Sequence, residues 1–337
     1  MNEPRAPLGR LGMSGPLATP VASEPTVSVV IAARNAAATL PATLASLAAD
    51  RALIAEVLLV DDGSSDATAE RARETAGRLG LPLQVIAAAA GDAGAARNIG
   101  LERARGAFVL FLDADDELAA GAIGRLLEPL AANPAAGLSV GATRRRTAAR
   151  PDKLKVPHGY GDRPLANADA YLANRLWPIA IGSALVRRGV ALSARFPEGL
   201  RYDEDTCYWA ALIARAPVIT VAAEVLVYHL DEARAARRLT LAPRRRFLSA
   251  AAALNRLTAH GVGKAVLQYR KAWLALRVAR QLVKIGQYRE ARAFLRVARA
   301  HPAPVHRWTA FRYAAKIGGG ALAWRLSPGK GERRKNS

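Results

Sequence analysis

The chain has one cysteine, Cys207, among 337 residues. It can close no internal disulfide and can build no cluster of metal-binding thiolates. No run of eighteen uncharged apolar residues occurs, so the sequence offers no stretch suited to span a bilayer as a helix. The first 24 residues lack the apolar core of a secretory signal. They are rich in proline and glycine and read as a disordered leader, which makes the cytoplasm the default compartment. Acidic residues are scarce, 28 against 49 Lys and Arg, and the shortage is local. Residues 1–231 carry 24 basic and 25 acidic groups, whereas residues 232–337 carry 25 basic and 3 acidic groups, a net of +22. The last third is thus a polycation, suited to anionic lipid headgroups, a phosphorylated acceptor or nucleic acid. No nucleic-acid motif accompanies the charge, which turns the expectation toward an anionic membrane surface.

What the sequence does have is an alternation of short β-branched runs with helical stretches. Val27–Ile31, Glu56–Val60, Leu83–Ile86 and Ala107–Leu112 read as strands, with helices over Thr39–Ala49, Ala67–Leu79 and Gly94–Ala104 between them. Strands this apolar are covered on both faces, as in a parallel sheet with crossover helices. The fold class is therefore α/β, a Rossmann-like, mostly parallel sheet with flanking helices. Further on, the pattern predicts a helix over Ala120–Ala132, an edge strand at Leu138–Val140, and a loop over Arg144–Gly161. A helix over Ala168–Leu176 and strands Ile181–Val186 and Val218–Tyr228 follow. From Pro243 the periodicity is helical: Pro243–His260, Lys264–Ile285, Gln287–Ala300 and His306–Trp324. The organisation expected is a leader (1–24), a catalytic α/β domain (25–235), a basic helical region (240–326) and a flexible tail (327–337).

Carboxylates gather at one edge of this expected sheet. Asp61 and Asp62 follow the second strand; Asp113, Asp115 and Asp116 follow the fourth. In a doubly wound sheet, ligands bind beyond the carboxyl ends of the strands. Asp113 and Asp115 share a side in extended backbone, because the side-chain period is two. Close carboxylates repel, and a hard divalent cation such as Mg²⁺ or Mn²⁺ resolves the conflict. The same residues could simply cap a strand and open a helix.

Four blocks resemble the family 2 glycosyltransferases of GT-A fold: Val27-Ser-Val-Val-Ile-Ala-Ala-Arg-Asn35, Glu56-Val-Leu-Leu-Val-Asp-Asp-Gly-Ser-Ser-Asp66, Gly94-Ala-Ala-Arg-Asn-Ile-Gly100 and Gly106-Ala-Phe-Val-Leu-Phe-Leu-Asp-Ala-Asp-Asp116. A fifth, Tyr202-Asp-Glu-Asp-Thr-Cys-Tyr-Trp209, is similar to the family's Glu-Asp motif. The resemblance covers roughly residues 27–230 and leaves the basic region unexplained. It implies an inverting transfer from a nucleotide-sugar, UDP-linked by expectation, to a hydroxyl of a glycan or lipid-linked acceptor, in bacterial cell-surface polysaccharide synthesis. By the same resemblance Ala32, Ala33 and Arg34 line the nucleobase and ribose pocket. Family members usually carry Pro and Tyr where this chain has Ala32 and Arg34, so the contacts retained there are those of the backbone. Asp62 would accept a hydrogen bond from the base, Arg97 would offset phosphate charge, and Asp113 would hold the ribose or metal-bound water. Asp115 would ligate the metal directly, and Asp116 would stand behind it or cap the next helix. Asp205 is the expected catalytic base, with Glu204 orienting the acceptor or the helix start. His229 is a candidate third metal ligand.

Trp177 and Trp209 could flank an acceptor sugar or fill the core. On Lys264–Ile285, apolar Val266, Tyr269, Trp273, Leu276 and Leu282 recur at helical spacing among Arg and Lys. That pattern suits either a helix lying on anionic lipid at the inner face of the plasma membrane or one packed on the catalytic domain. Two rival functions remain at this point. A sugar-phosphate nucleotidyltransferase would want a glycine-rich loop after the first strand, and Ala32–Ala38 has no glycine. A non-catalytic polyanion- or membrane-binding protein with a relic GT-A domain would have no need of Asp113, Asp115 and Asp205.

Overall fold

The structure is a computed structural model and describes residues 27–147, 150–200, 203–230 and 242–300, with positions 309, 311, 312 and 314. The expected leader, the helix over His306–Trp324 apart from those four positions, and the tail lie outside the described residues. Among the described residues the sheet has nine strands: β1 (Val27–Ala33), β2 (Ile54–Asp62), β3 (Leu83–Ala88), β4 (Phe108–Asp113), β5 (Glu117–Leu118), β6 (Leu138–Thr147), β7 (Arg150–Lys155), β8 (Ala184–Arg187) and β9 (Val218–His229). They lie in the order β3-β2-β1-β4-β8-β6-β9-β5, with β7 hairpinned on β6. The first four are parallel, and the chain winds outward from β1 to β3 before returning past β1 to β4. That return creates a switch point between β1 and β4, where the register sets Ala32 beside Asp113 and Ala33 beside Asp61.

The period of two divides the parallel strands between two cores. Val30, Leu58, Val60, Val109 and Phe111 face one core, and Val29, Ile31, Val57, Leu59, Leu110 and Leu112 face the other. The second core is closed by α1 (Leu40–Ser46), α2 (Thr68–Leu79) and α4 (Ala122–Ala132). The first is closed by α3 (Ala93–Arg103), α5 (Pro164–Leu172) and α7 (Glu204–Ile213), with the single turn α6 (Arg188–Ala191) at its rim. Gly100 lets α3 lie directly on β1: a Cβ there would stand 2.4 Å from Val30 Cγ1.

Two expectations need correction. Leu138–Val140 begins not an edge strand but the ten-residue β6, flanked by β8 and β9 in the sheet. Its apolar start is buried between layers, and its charged end, Arg144 to Arg146, runs out as a hairpin. The expected loop over Arg144–Gly161 therefore contains β7, whose alternate polar residues give no burial signal. The basic region takes the packed one of the two arrangements its sequence left open. Helices α8 (Pro243–Arg256), α9 (Lys264–Lys284) and α10 (Tyr288–Arg299) follow the sheet, and Ala253, Leu254, Leu257, Val262 and Leu267 join the first core. α9 buries Leu267, Leu274, Leu276, Val278 and Leu282, so the packed arrangement, rather than a helix lying on lipid, describes it. No described helix is long and apolar enough to cross a membrane.

Candidate active site

The loops at the carboxyl ends of β1 and β2 are laced together. Asn35, in the left-handed region at φ 52°, receives a bond from Ser65 N on its side-chain oxygen (2.8 Å) and donates its own N–H to Ser64 Oγ at 2.9 Å. Asp66 accepts from Ala37 N at 3.1 Å and also binds the Thr68 hydroxyl, which holds its carboxyl below the usual range. Thr68 Oγ1 in turn accepts from Ala36 N at 2.8 Å. Ala32, Ala33 and Arg34 run along this frame, with Arg34 exposed. Asp62 is buried at the end of β2 and accepts from Gly91 N at 2.8 Å, so one of its oxygens is already engaged by backbone.

At the end of β4 the chain turns sharply, Asp116 N donating to Asp113 O at 3.1 Å, and Thr39 Oγ1 holds Ala114 O at 2.8 Å. This turn brings carboxylate oxygens of Asp113, Asp115 and Asp116 within 4.8 Å of one another. Asp113 is half-buried, Asp115 exposed and Asp116 fully buried. Burial, and then the charge of Asp113, pushes the Asp116 carboxyl up to about 9. Asp116 Oδ1 accepts from His229 N at 2.9 Å, while its Oδ2 is buried with no hydrogen-bond partner. His229 therefore reaches the carboxylates through its backbone, and its Nε2 lies 2.8 Å from Glu117 Oε1.

Arg97, on α3 and 4% exposed, joins this cluster to a second one. Its Nη2 donates to Asp113 Oδ1 at 2.6 Å, and its Nη1 is 3.6 Å from Glu204 Oε1. Glu204 and Asp205 open α7, and both carboxyls are raised: Glu204 by burial and then Asp205, to about 7; Asp205 by burial and then Asp203. The charges of Asp113, Glu204 and Asp205 in turn raise the Arg97 guanidinium against its own burial. Asp113, Glu204 and Asp205, ninety residues apart in the chain, thus act on one buried cation. Such an arrangement can hold a divalent cation at one end and accept a proton at the other.

Sequence reasoning missed the residues that hold this geometry. Asn98 donates to Phe196 O at 2.9 Å and accepts from Phe196 N at 2.9 Å, and Asp92 accepts from both Ala95 N and Gly199 N. These bonds lash the start of α3 to the segment that leads into α7. The signal was in the Gly94–Gly100 block, where a buried Asn beside a buried Arg marks polar work inside a helix. Trp209 is fully buried against Phe111 and Tyr208, so it fills the core. Trp177 is half-buried, with Lys155 Nζ 4.2 Å from its ring centre.

Residues 28–191 match the family model described as glycosyl transferase family 2. A protein of Bacillus subtilis named as the glycosyltransferase EpsH is 37% identical over 92 residues, 27% of this chain and 26% of that protein. A PGL/p-HBAD biosynthesis glycosyltransferase of Mycobacterium bovis is 39% identical over 94 residues, 28% of this chain and 37% of that protein. The chain thus spans only about a quarter to two fifths of these curated relatives. Among solved structures, S. aureus TarS 1–349 in complex with UDP superimposes with a TM-score of 0.53 at 18% identity, covering 88% of this chain and 91% of that one. The mannosyltransferase PcManGT of Pyrobaculum calidifontis, in complex with GDP-Man and Mn2+, gives 0.53 at 22% identity, covering 90% and 81%. At these identities the structures show a shared fold, the GT-A type.

Proposed function

From the match of residues 28–191 to the glycosyl transferase family 2 model, we propose that this chain is a member of that family and transfers a sugar, with inversion, from a UDP-sugar to a hydroxyl of a glycan or lipid-linked acceptor. The observation that carries the reading is the pairing of two carboxylate groups, Asp113/Asp115/Asp116 and Glu204/Asp205, across Arg97 at the switch point of the sheet. The first group fits a divalent cation. Its donors are hard oxygens, and the buried, partnerless Oδ2 of Asp116 sits among like charges. Asp115 and Asp113 would hold Mn²⁺ or Mg²⁺, with Asp116 behind them; His229, tied to Glu117, is the weaker candidate. When bound, the cation neutralises charge on the departing diphosphate.

The remaining work belongs to the chain itself. Ala32, Ala33 and Arg34 border the nucleoside, and Asp62 offers its free oxygen to an imide N–H, which favours uracil. Arg97 orients Asp113 through its hydrogen bond to Oδ1. Asp205 takes the acceptor's hydroxyl proton as the new C–O bond forms and the bond to the diphosphate breaks. Burial, and then the charge of Asp203, raise its proton affinity, the direction that strengthens a base. Glu204, its carboxyl pushed up by burial and by Asp205, steadies Arg97 and the helix start. The TarS complex with UDP and the mannosyltransferase complex with GDP-Man and Mn2+ support a nucleotide donor and a cation. Thermal-shift screening of UDP- and GDP-sugars with Mn²⁺ tests the reading: UDP-sugars should raise the melting temperature of the wild type and not of Asp115→Ala. Equal shifts in both would contradict it.

The basic helices support a further part of this reading, attachment to an anionic leaflet at the inner face of the plasma membrane. A cavity of about 1210 Å³ opens between α8 and α10, lined by Phe247, Leu248, Phe294 and Val297 with Arg244 and Arg289. Leu248 is 58% exposed, an apolar group set among arginines, as an interfacial contact requires.

A further inference from the structure

The C-terminal helices reach the site directly. Arg270 lies in the second turn of α9 and is only 5% exposed. Its Nη1 donates to Asn174 Oδ1 at 2.8 Å, and its Nη2 lies 3.3 Å from both Asp203 Oδ1 and Thr206 Oγ1. Trp273, one turn further on, stacks beneath the guanidinium at 4.4 Å. Asn174 and Asp203 both stand in the left-handed region, at φ 55° and 63°, which Asn and Asp enter more readily than other side-chain-bearing residues. Asp203 is the residue from which α7 starts, and it is 6% exposed. Arg277 approaches the same Oδ1 at 3.5 Å, and the other oxygen of Asp203 is buried with no partner. A buried carboxylate in this state depends on its cation.

We propose that Arg270 is a positioning residue for the catalytic carboxylates: by holding Asn174, Asp203 and Thr206 together, its guanidinium fixes the start of α7, from which Glu204 and Asp205 face Arg97. Part of the basic region thereby has a task inside the enzyme, beyond any attraction to anions. The proposal rests on the reading of Asp205 as base. Glu204 and Asp205 directly follow Asp203, so a rotation at Asp203 moves both. A displacement of about 1 Å in a reacting group costs on the order of a hundredfold in rate. The nucleotide is bound at the other end of Arg97, by residues of the β1, β2 and β4 ends rather than of α7, so its affinity should change little.

The test uses the full chain with Mn²⁺. UDP affinity is measured by calorimetry, and turnover as UDP release from the best of UDP-glucose, UDP-galactose and UDP-N-acetylglucosamine. Arg270→Gln should lower kcat at least about tenfold with the Kd for UDP within about twofold of wild type. Arg270→Lys should recover part of the loss, and exposed Arg280→Gln on the same helix should match wild type. Asp203→Asn, which keeps the left-handed backbone, should reproduce the loss, and the double variant should add little to it. These two conservative variants carry the test if Arg270→Gln does not fold. Amide exchange needs no substrate: Arg270→Gln should speed it at residues 204–207 and leave α2 unchanged. Wild-type kcat in folded Arg270→Gln, unchanged protection of α7, or an equal loss of UDP affinity would overturn the proposal. Asp205→Asn is assayed alongside: full turnover there overturns the base assignment instead, whatever Arg270 does.

Discussion

Arg97→Met replaces a buried cation with an apolar chain of similar length and leaves its carboxylates to repel one another. Removing one partner from a buried ion pair costs about 3–5 kcal/mol. Here Asp113 keeps 28% of its side chain exposed, and Glu204 stands at 3.6 Å rather than in a hydrogen bond. Solvent therefore lowers the expected cost to roughly 2–3 kcal/mol, a drop in melting temperature of about 5–10 °C for a domain of this size. The cost should depend on pH in a defined sense. Glu204 binds its proton more tightly folded than unfolded, so its contribution to stability is full below the ordinary carboxylate range and is lost as pH rises to about 7. Above that, ionised Glu204 relies on Arg97, so the variant should be hurt more at pH 8 than at pH 5. Mn²⁺ should shrink the penalty, because it supplies a second positive charge beside Asp113. The assay is urea unfolding in EDTA and in Mn²⁺, at both pH values. A penalty below about 1 kcal/mol, or one equal in all four conditions, would refute the electrostatic reasoning.

Three more expectations follow from the same geometry. In EDTA the wild type should lose stability as pH rises from about 4 toward 9, because Asp116 holds its proton more tightly folded than unfolded; Mn²⁺ should flatten that slope in thermal melts. Gly100→Ala should cost about 1–3 kcal/mol in urea unfolding, since the added methyl would sit 2.4 Å from Val30 Cγ1; a neutral result would mean α3 lifts freely from β1. Leu248→Glu with Arg244→Glu should weaken sedimentation with vesicles rich in phosphatidylglycerol, and the wild-type binding should fall steeply with salt. Unchanged sedimentation of that double variant would remove the membrane reading.

The parallel half of the fold was legible because its strands are rich in apolar, β-branched residues and two of them end in carboxylates, as at Phe108–Asp113. Beyond Asp116 the sequence marked β8, β9 and the start of β6, but not the hairpin strand β7. Arg150–Lys155 is polar on both faces and leans on β6 for its hydrogen bonds, so no periodicity marks it as a strand. Of the candidate site, Asp113, Asp115, Arg97, Glu204 and Asp205 could be named from motifs, and the structure brings them together. Residues acting at a distance stayed hidden. Asn98 gives its side chain to backbone a hundred residues away, and Arg270 looked like one arginine among many in a basic helix. Only burial, which pairing across the sequence decides, separates it from solvated neighbours such as Arg280.

We propose one site, at the carboxyl edge of β1 and β4, that transfers sugar with help from a cation and from Asp205. Its most direct test is UDP release from UDP-sugars, followed in Mn²⁺, in EDTA, and in the folded Asp205→Asn variant. The account predicts turnover in Mn²⁺, its loss in EDTA with recovery on readdition, and a fall of about 10²–10⁴-fold in Asp205→Asn. Full turnover in EDTA, or in Asp205→Asn, would contradict it.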